Sequence, residues 1–214
     1  MNQVSRRHGV ECIQQTAEQL AISVSEQQCE QVYDYLCLLE KWNKTYNLTA
    51  IRDVESMLSL HIADSLSIGP YLQGSTVLDI GTGAGLPGLP LAICYPHLHF
   101  TLLDSVGKKV RFLRHVVATL GLKNVTAEHQ RVESYSAAQP FDVIMARAVA
   151  TLKKIHQLGA PHCHRNGCFL LQKGEYPTQE LAELTCPHEV ITLSVPGLPA
   201  NRHLVRMQKG ESHD

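Results

Sequence analysis

The sequence is short of several things that would settle its class at once. Charged residues make up only 18% of its 214 positions, and they nearly cancel to a formal net charge of -1 at pH 7. Proteins that hold nucleic acid without regard to sequence are usually clearly basic, so any polyanion contact must come from a local patch. There is no CxxC pair, and the cysteines are odd in number: Cys12, Cys29, Cys37, Cys94, Cys163, Cys168 and Cys186. Free thiols in a reducing compartment are therefore expected rather than a disulfide framework. No run of about 18 apolar residues is available to span a membrane. The opening MNQVSRRHGVEC has no apolar centre of the kind a secretion signal needs, so the expected location is the cytoplasm. The absence of GxSxG argues against a serine nucleophile at a strand-to-helix turn. His162, Cys163, His164 and Cys168 lie close together but match no zinc spacing, so no metal is expected.

Proline is missing too, up to Pro70, and all ten prolines fall from there on. This asymmetry divides the chain into an N-terminal helical extension (1–69), a main domain (70–209) and a short flexible tail (210–214). In the extension, Ser25 and Gln28 have capping-box spacing. Cys29, Val32, Tyr33, Leu36 and Leu39 then recur at helical intervals. Other helices are expected over 10–21 and around 57–66. The main domain alternates strands (76–80, 99–104, 124–127, 141–146, 167–173) with helices (from 88, 107–120, 149–159, 177–184). Such alternation indicates a mostly parallel sheet covered on both faces. Segments 188–195 and 202–208, joined by a Pro/Gly loop, read as an antiparallel hairpin at one edge. The fold class is therefore α/β, Rossmann-like.

The most informative stretch is TVLDIGTGAGLPGLP, residues 76–90. A P-loop would need a lysine after its last glycine, and Gly88 is followed by Leu89 and Pro90. Gly83, Gly85 and Gly88 match the dinucleotide pattern GxGxxG formally. That pattern puts its first glycine directly after the strand, a place held by Gly81, and counting from Gly81 the sixth position is Leu86. The third frame starts at Asp79 and continues through Gly81, Gly83 and Gly85. It suits S-adenosylmethionine, which carries an amino acid, a sulfonium and a nucleoside but no pyrophosphate. Glycines let the backbone pass close to it, and Asp79 can accept from its ammonium. The second strand ends at Asp104, placed to accept both ribose hydroxyls.

Further candidates lie beyond the strand ends, where ligands bind in open α/β sheets. Arg147 follows the fourth strand and Lys173 the fifth. Lys108 and Arg111 share a helix face that is either a contact for a polyanion or a solvated surface. Asn47 in KWNKTYNLTA could meet a base edge or cap a helix. His61 could be a core or a surface histidine, and Arg202 sits near the edge hairpin.

These pieces together resemble the bacterial small-subunit ribosomal RNA guanine-N7 methyltransferases of the glucose-inhibited division protein B family. The matching stretches are KWNKTYNLTAIRD (41–53), HIADSL (61–66), LDIGTGAGLPGLPLAI (78–93), HFTLLDSVGKKVRFL (99–113), RVESY (131–135), FDVIMARAVA (141–150), LLQKG (170–174) and RHLV (202–205). The resemblance implies a class I methyltransferase with a seven-stranded sheet. It also implies methyl transfer to N7 of one guanine in the 530-region loop of 16S rRNA, by direct in-line displacement without a metal or general base. Expected cofactor contacts are Asp79, Gly81, Gly83, Gly85, Leu86, Asp104, Arg131, Val132, Glu133 and Arg147. Expected active-site residues are Arg147, Asn47 and His61, and expected RNA contacts are Lys108, Arg111, Lys173 and Arg202. The expected partner is 16S rRNA or a 30S particle, with the enzyme a monomer. The chain departs from the family where Ala146 stands in MARA, since a serine is common before that arginine. Alternatives are a methyltransferase for another RNA site or a small molecule, and a non-catalytic RNA-binding subunit on the same fold.

Overall fold

The computed structural model describes residues 5–147 and 150–210. Residues 211–214 of the expected tail, and the start of the helix expected from 149, lie outside the described residues.

The N-terminal segment forms α1 (Arg6–Gln19) and α2 (Glu26–Tyr46). Next comes α3 (Val54–Met57), which runs through a π-helical stretch, Leu58–Ala63, into α4 (Asp64–Leu66). The first helix starts four residues earlier than the apolar periodicity suggests. Ser5 accepts from the His8 N–H and so caps a polar first turn that hydrophobic spacing cannot show. Gly9 is needed there, because a Cβ would enter the Tyr33 ring of α2. The capping box at Ser25 and Gln28 forms as spaced.

The remainder is one seven-stranded sheet with the strands in the order β3-β2-β1-β4-β5-β7-β6. They are β1 (Thr76–Ile80), β2 (His99–Asp104), β3 (Val125–His129), β4 (Phe141–Arg147), β5 (Cys163–Lys173), β6 (His188–Leu193) and β7 (Arg202–Gln208). The first five are parallel; β7 is antiparallel to both β5 and β6. Strand β5 begins at Cys163, earlier than expected at 167. Its exposed residues His164, Arg165 and Asn166 imitate a loop, and the pairing with β4 skips from Phe141–Cys163 to Val143–Cys168.

Helices α5 (Gly88–Cys94) and α6 (Gly107–Leu120) cover one face with α1 and α2. On the other face lie α7 (Leu152–Gly159) and α8 (Thr178–Leu181). Alternation along a strand divides the two cores: Val77 and Leu102 join the first, Leu78 and Leu103 the second. Burying a side chain such as Phe112 or Leu36 contributes about 1.5–3 kcal/mol. The N-terminal helices thus share the core beneath α5 and α6 instead of forming one of their own. The order reverses between β1 and β4, and that switch point is where such sheets open a crevice for ligands.

Candidate active site

A cleft of about 550 Å³ opens at this switch point, beyond the carboxyl ends of β1, β2 and β4. Its floor is the loop Gly81–Ala84. Gly81 and Gly83 have φ of +67° and +65°, and a Cβ on Gly83 would meet only the Gly81 carbonyl and Lys109 Nζ, both at 3.9 Å, toward the cleft. Gly85 serves the other side. Its Cβ would lie 2.3 Å from Leu89 Cδ1, so it lets the loop pack on the core, and it does not line the cleft.

Asp104 closes the β2 end. Its Oδ2 accepts from Gly83 N–H at 2.9 Å and its Oδ1 from Val106 N–H at 2.8 Å, while Lys109 Nζ lies 3.5 Å from Oδ2. Each carboxylate oxygen keeps a second lone pair. Beyond it, Arg131, Val132 and Glu133 form one wall with Ile155 and Leu158 of α7. A carboxylate with spare acceptor capacity, a loop without side chains and apolar walls for a flat base fit S-adenosylmethionine.

Asp79 stands behind this loop rather than in the cleft. It is 0% exposed; its Oδ2 accepts from Thr82 Oγ1 at 2.6 Å and from Gly88 N–H at 3.0 Å, and its Oδ1 has no partner. Burial pushes its carboxyl up to about 6. The residue therefore ties the loop to the start of α5, and it is not among the residues facing the cavity.

On the opposite side the cleft is lined by Leu48, Thr49 and Arg147, and Arg147 belongs to a cluster of side chains that are far apart in sequence. Asp64, at the end of the π-helical stretch, is buried at 8% side-chain exposure between two arginines. Arg147 of β4 donates to its Oδ2 at 2.9 Å and Arg202 of β7 to its Oδ1 at 3.1 Å. Its backbone carbonyl accepts from Gln172 Nε2 of β5 at 2.7 Å. One residue of the N-terminal segment thus meets three strands. The insertion that makes a π-turn shifts the following residues around the helix, and such turns recur at functional sites.

His61 lies one turn earlier and is buried, with Nε2 2.8 Å from Thr49 Oγ1 and Nδ1 3.1 Å from the Leu60 carbonyl. Burial, helped by the nearby Arg147 charge, holds its imidazole down to about 4. It is neutral at pH 7 and packs behind Thr49, which itself lines the cleft.

Of the expected cofactor contacts, Gly81, Gly83, Leu86, Asp104, Arg131, Val132, Glu133 and Arg147 meet in one cleft, while Asp79 and Gly85 support it from behind. Asn47 caps the C-terminus of α2 with φ +48° and accepts from Arg52. Lys108 Nζ donates to the Tyr46 carbonyl at 2.7 Å, joining α6 to the end of α2. Arg111 lines a shallow groove with Lys108, Arg114 and His129. Lys173 is bonded to both oxygens of Glu180, whose Oε2 also accepts from the Leu152 N–H at the start of α7. Among the described residues no group of three His, Cys, Asp or Glu side chains is arranged around a common point. Sequence reasoning missed Asp64, Thr49, Asn43 and Lys109. Asn43 is buried and ties the 43–51 loop through Ile51 and Thr49. A signal for Asp64 existed: a carboxylate inside the apolar helical stretch MLSLHIADSLSI calls for a cationic partner.

Comparison with known proteins extends the picture. A family model described as rRNA small subunit methyltransferase G matches residues 28–205. A protein of Marinomonas sp. (strain MWYL1) named ribosomal RNA small subunit methyltransferase G is 47% identical over 202 residues, covering 92% of this chain and 96% of its own length. One of the same name from Klebsiella pneumoniae (strain 342) is 48% identical over 198 residues, covering 89% and 94%. Among solved structures, a SAM dependent methyltransferase from Aquifex aeolicus superposes with a TM-score of 0.54 at 19% identity, over 72% of this chain and 93% of that one. Precorrin-6y C5,15-methyltransferase from Geobacter metallireducens GS-15 gives 0.53 at 14% identity, over 78% and 93%. The two structures share the fold.

Proposed function

We propose, from the premise that the chain belongs to the rRNA small subunit methyltransferase G family, that it methylates N7 of one guanine in the 530-region loop of 16S rRNA. It is an S-adenosylmethionine-dependent methyltransferase. The observation carrying the finer reading is that stretches shared with the family converge, from separate parts of the chain, on one side-chain cluster that reaches the cleft through Arg147. HIADSL supplies Asp64, MARA supplies Arg147, and RHLV supplies Arg202.

Bound S-adenosylmethionine supplies a methyl group activated by sulfonium. Asp104 would hold its ribose, and Gly81 and Gly83 would let its amino-acid portion lie on the loop backbone. Val132, Ile155 and Leu158 would flank its base. Guanine N7 has a lone pair and no proton, so the enzyme needs no general base. That agrees with His61, whose buried, neutral ring faces Thr49 and not an open site. The contribution of the chain is orientation and electrostatics. Arg147 uses one guanidinium nitrogen on Asp64 and keeps other donors for guanine O6 or a flanking phosphate. It must leave N7 free, since arginine otherwise reads O6 and N7 together. Lys108 and Arg111 contact RNA phosphates from the α6 groove. The substrate is 16S rRNA or a 30S particle, the protein acts as a monomer in the cytoplasm, and residues 1–69 form an extension that completes the substrate side.

The test uses small-subunit RNA from cells lacking the gene, incubated with pure protein and labelled cofactor. Strand cleavage specific for N7-methylguanine should map the label to one position in the 530 loop. Label at another base or atom refutes the assignment.

A further inference from the structure

Helix α2 of the N-terminal segment lies across α5 and α6 and is fastened to them by side chains. Near its start, Gln28 Nε2 donates to the Ile93 and Cys94 carbonyls at 2.8 and 3.2 Å, and Gln31 Nε2 to the Leu120 carbonyl at 3.2 Å. These carbonyls belong to the last turns of α5 and α6, where a helix has no donor of its own to offer. At the far end of α2, the Tyr46 carbonyl accepts from Lys108 at the start of α6. Between those points, Tyr35 Oη donates to the Ala84 carbonyl of the cofactor loop at 3.0 Å.

The Ala84 carbonyl takes a donor from outside because the turn that carries it is engaged elsewhere. In a helical turn it would accept from the N–H four residues on, that of Gly88. That N–H goes to Asp79 Oδ2 at 3.0 Å. The neighbouring positions close around it: the Leu86 N–H bonds the Thr82 carbonyl at 3.0 Å, Pro87 has no N–H, and the Leu89 N–H bonds the Gly85 carbonyl at 2.7 Å. A buried carbonyl without a donor is destabilising, and Tyr35 supplies the donor. Its ring is fully buried and packs 6.3 Å from the Phe112 ring of α6, tilted by 40°. Ala84 lines the cleft and Tyr35 does not, so the hydroxyl can act on a bound cofactor through the loop alone.

We propose that Tyr35 is a positioning residue for S-adenosylmethionine: from the N-terminal segment it holds the Gly81–Ala84 loop in the arrangement that receives the cofactor. The loop's own residues are able to form that arrangement. The freedom that Gly81 and Gly83 bring, at φ of +67° and +65°, also lets the loop leave it. A ligand that fits one arrangement has its affinity lowered in proportion to the time spent in the others. The Tyr35 hydroxyl keeps that time short. The N-terminal segment thereby acts on both sides of the cleft, Asp64 through Arg147 and Tyr35 through Ala84. The inference concerns the cofactor side and is independent of which RNA atom is methylated.

The experiment compares the unaltered protein with Tyr35→Phe, which keeps the ring and its packing and removes the hydroxyl, and with Gln31→Ala, a control on the same helix that does not touch the loop. Calorimetry with S-adenosylhomocysteine, well below the melting temperature of each protein, should show affinity weakened roughly tenfold in Tyr35→Phe and unchanged in Gln31→Ala. Amide hydrogen exchange over residues 81–86 should quicken in Tyr35→Phe and return to the unaltered rate when the ligand saturates. KM for rRNA at saturating cofactor should stay the same in all three proteins. Unchanged affinity in Tyr35→Phe confines the hydroxyl to the fold and overturns the proposal. Equal weakening in both variants overturns it too, since the loss would then follow stability and not the loop, as does a matching rise in KM for rRNA. If the unaltered protein fails to methylate rRNA, the RNA reading falls, and calorimetry and exchange still decide on Tyr35.

Discussion

The two walls of the cleft are built on opposite plans. The cofactor wall is local: Gly81, Gly83 and Asp104 lie within one β–α–β unit, where the Gly83 and Val106 N–H groups donate to the Asp104 carboxylate. The other side, which reaches the cleft through Arg147, is assembled from a distance. Asp64 meets Arg147 across 83 positions and Arg202 across 138, entirely through side chains. A local wall can be formed whenever its own unit folds. A remote one exists only when the N-terminal segment, β4 and β7 are all in place. The first plan binds a cofactor shared with many enzymes of this fold. The second holds Arg147, the residue proposed to grip the target guanine, in place.

The hardest blow to this contrast is Asp64→Ala. It leaves two guanidinium groups facing each other without their counter-charge, and should lower stability by about 3 kcal/mol or more. Urea unfolding measures this, and methyl transfer at saturating cofactor should fall steeply in whatever protein stays folded. Unchanged stability would mean that the carboxylate is a bystander. Next in size, Asp104→Ala removes the acceptor for Gly83 N–H, Val106 N–H and the ribose. Calorimetry should show cofactor affinity reduced on the order of 100-fold. RNA affinity should hardly move, because the remote wall is intact; parallel losses would show that the walls are not independent.

A smaller effect lies in the pH dependence. His61 is held down to about 4, so the folded state binds fewer protons than the unfolded one between its ordinary value near 6.5 and 4. Its contribution to stability is lost as pH falls through that window. Asp79 is pushed up to about 6, so there the folded state binds more protons, and its contribution grows as pH falls from 6 toward 4. The two oppose each other, by amounts on the order of 2 kcal/mol. Chemical denaturation of Asp79→Asn should therefore show stability falling more steeply on acidification than in the parent, and His61→Gln the reverse. Parallel curves for all three proteins would dismiss both groups. Smallest is Lys108→Ala, which should cost a few-fold in RNA affinity and flatten the salt dependence by about one charge. An unaltered slope would leave Lys108 as no more than the link to Tyr46.

The same contrast explains what was legible in the sequence. The glycine loop and Asp104 could be placed because spacing after a strand fixes where a residue lies. Spacing could not tell whether a strand-end carboxylate faces the ligand or the back of the loop, and Asp79 turned to the back. Nor could it choose between adjacent lysines at a helix start. Lys109 lines the cleft while Lys108, about 100° around the helix, reaches Tyr46. Asp64 was visible as a carboxylate in an apolar stretch, but its meaning depended on two arginines that only the topology brings to it. Arg147 and Arg202 were singled out without the residue that joins them.

Strand β7 follows β6 in sequence yet lies between β5 and β6 in the sheet. During synthesis, the glycine loop and both strands beside it can assemble long before β7 emerges. Until then β5 is an open edge, and Asp64 has only one of its two arginines. A nascent chain can thus acquire the means to hold a methyl donor well before it can present an acceptor. Chains halted before Arg202 would sequester cofactor without turning it over, and would expose at β5 an additional edge onto which a stray strand could add.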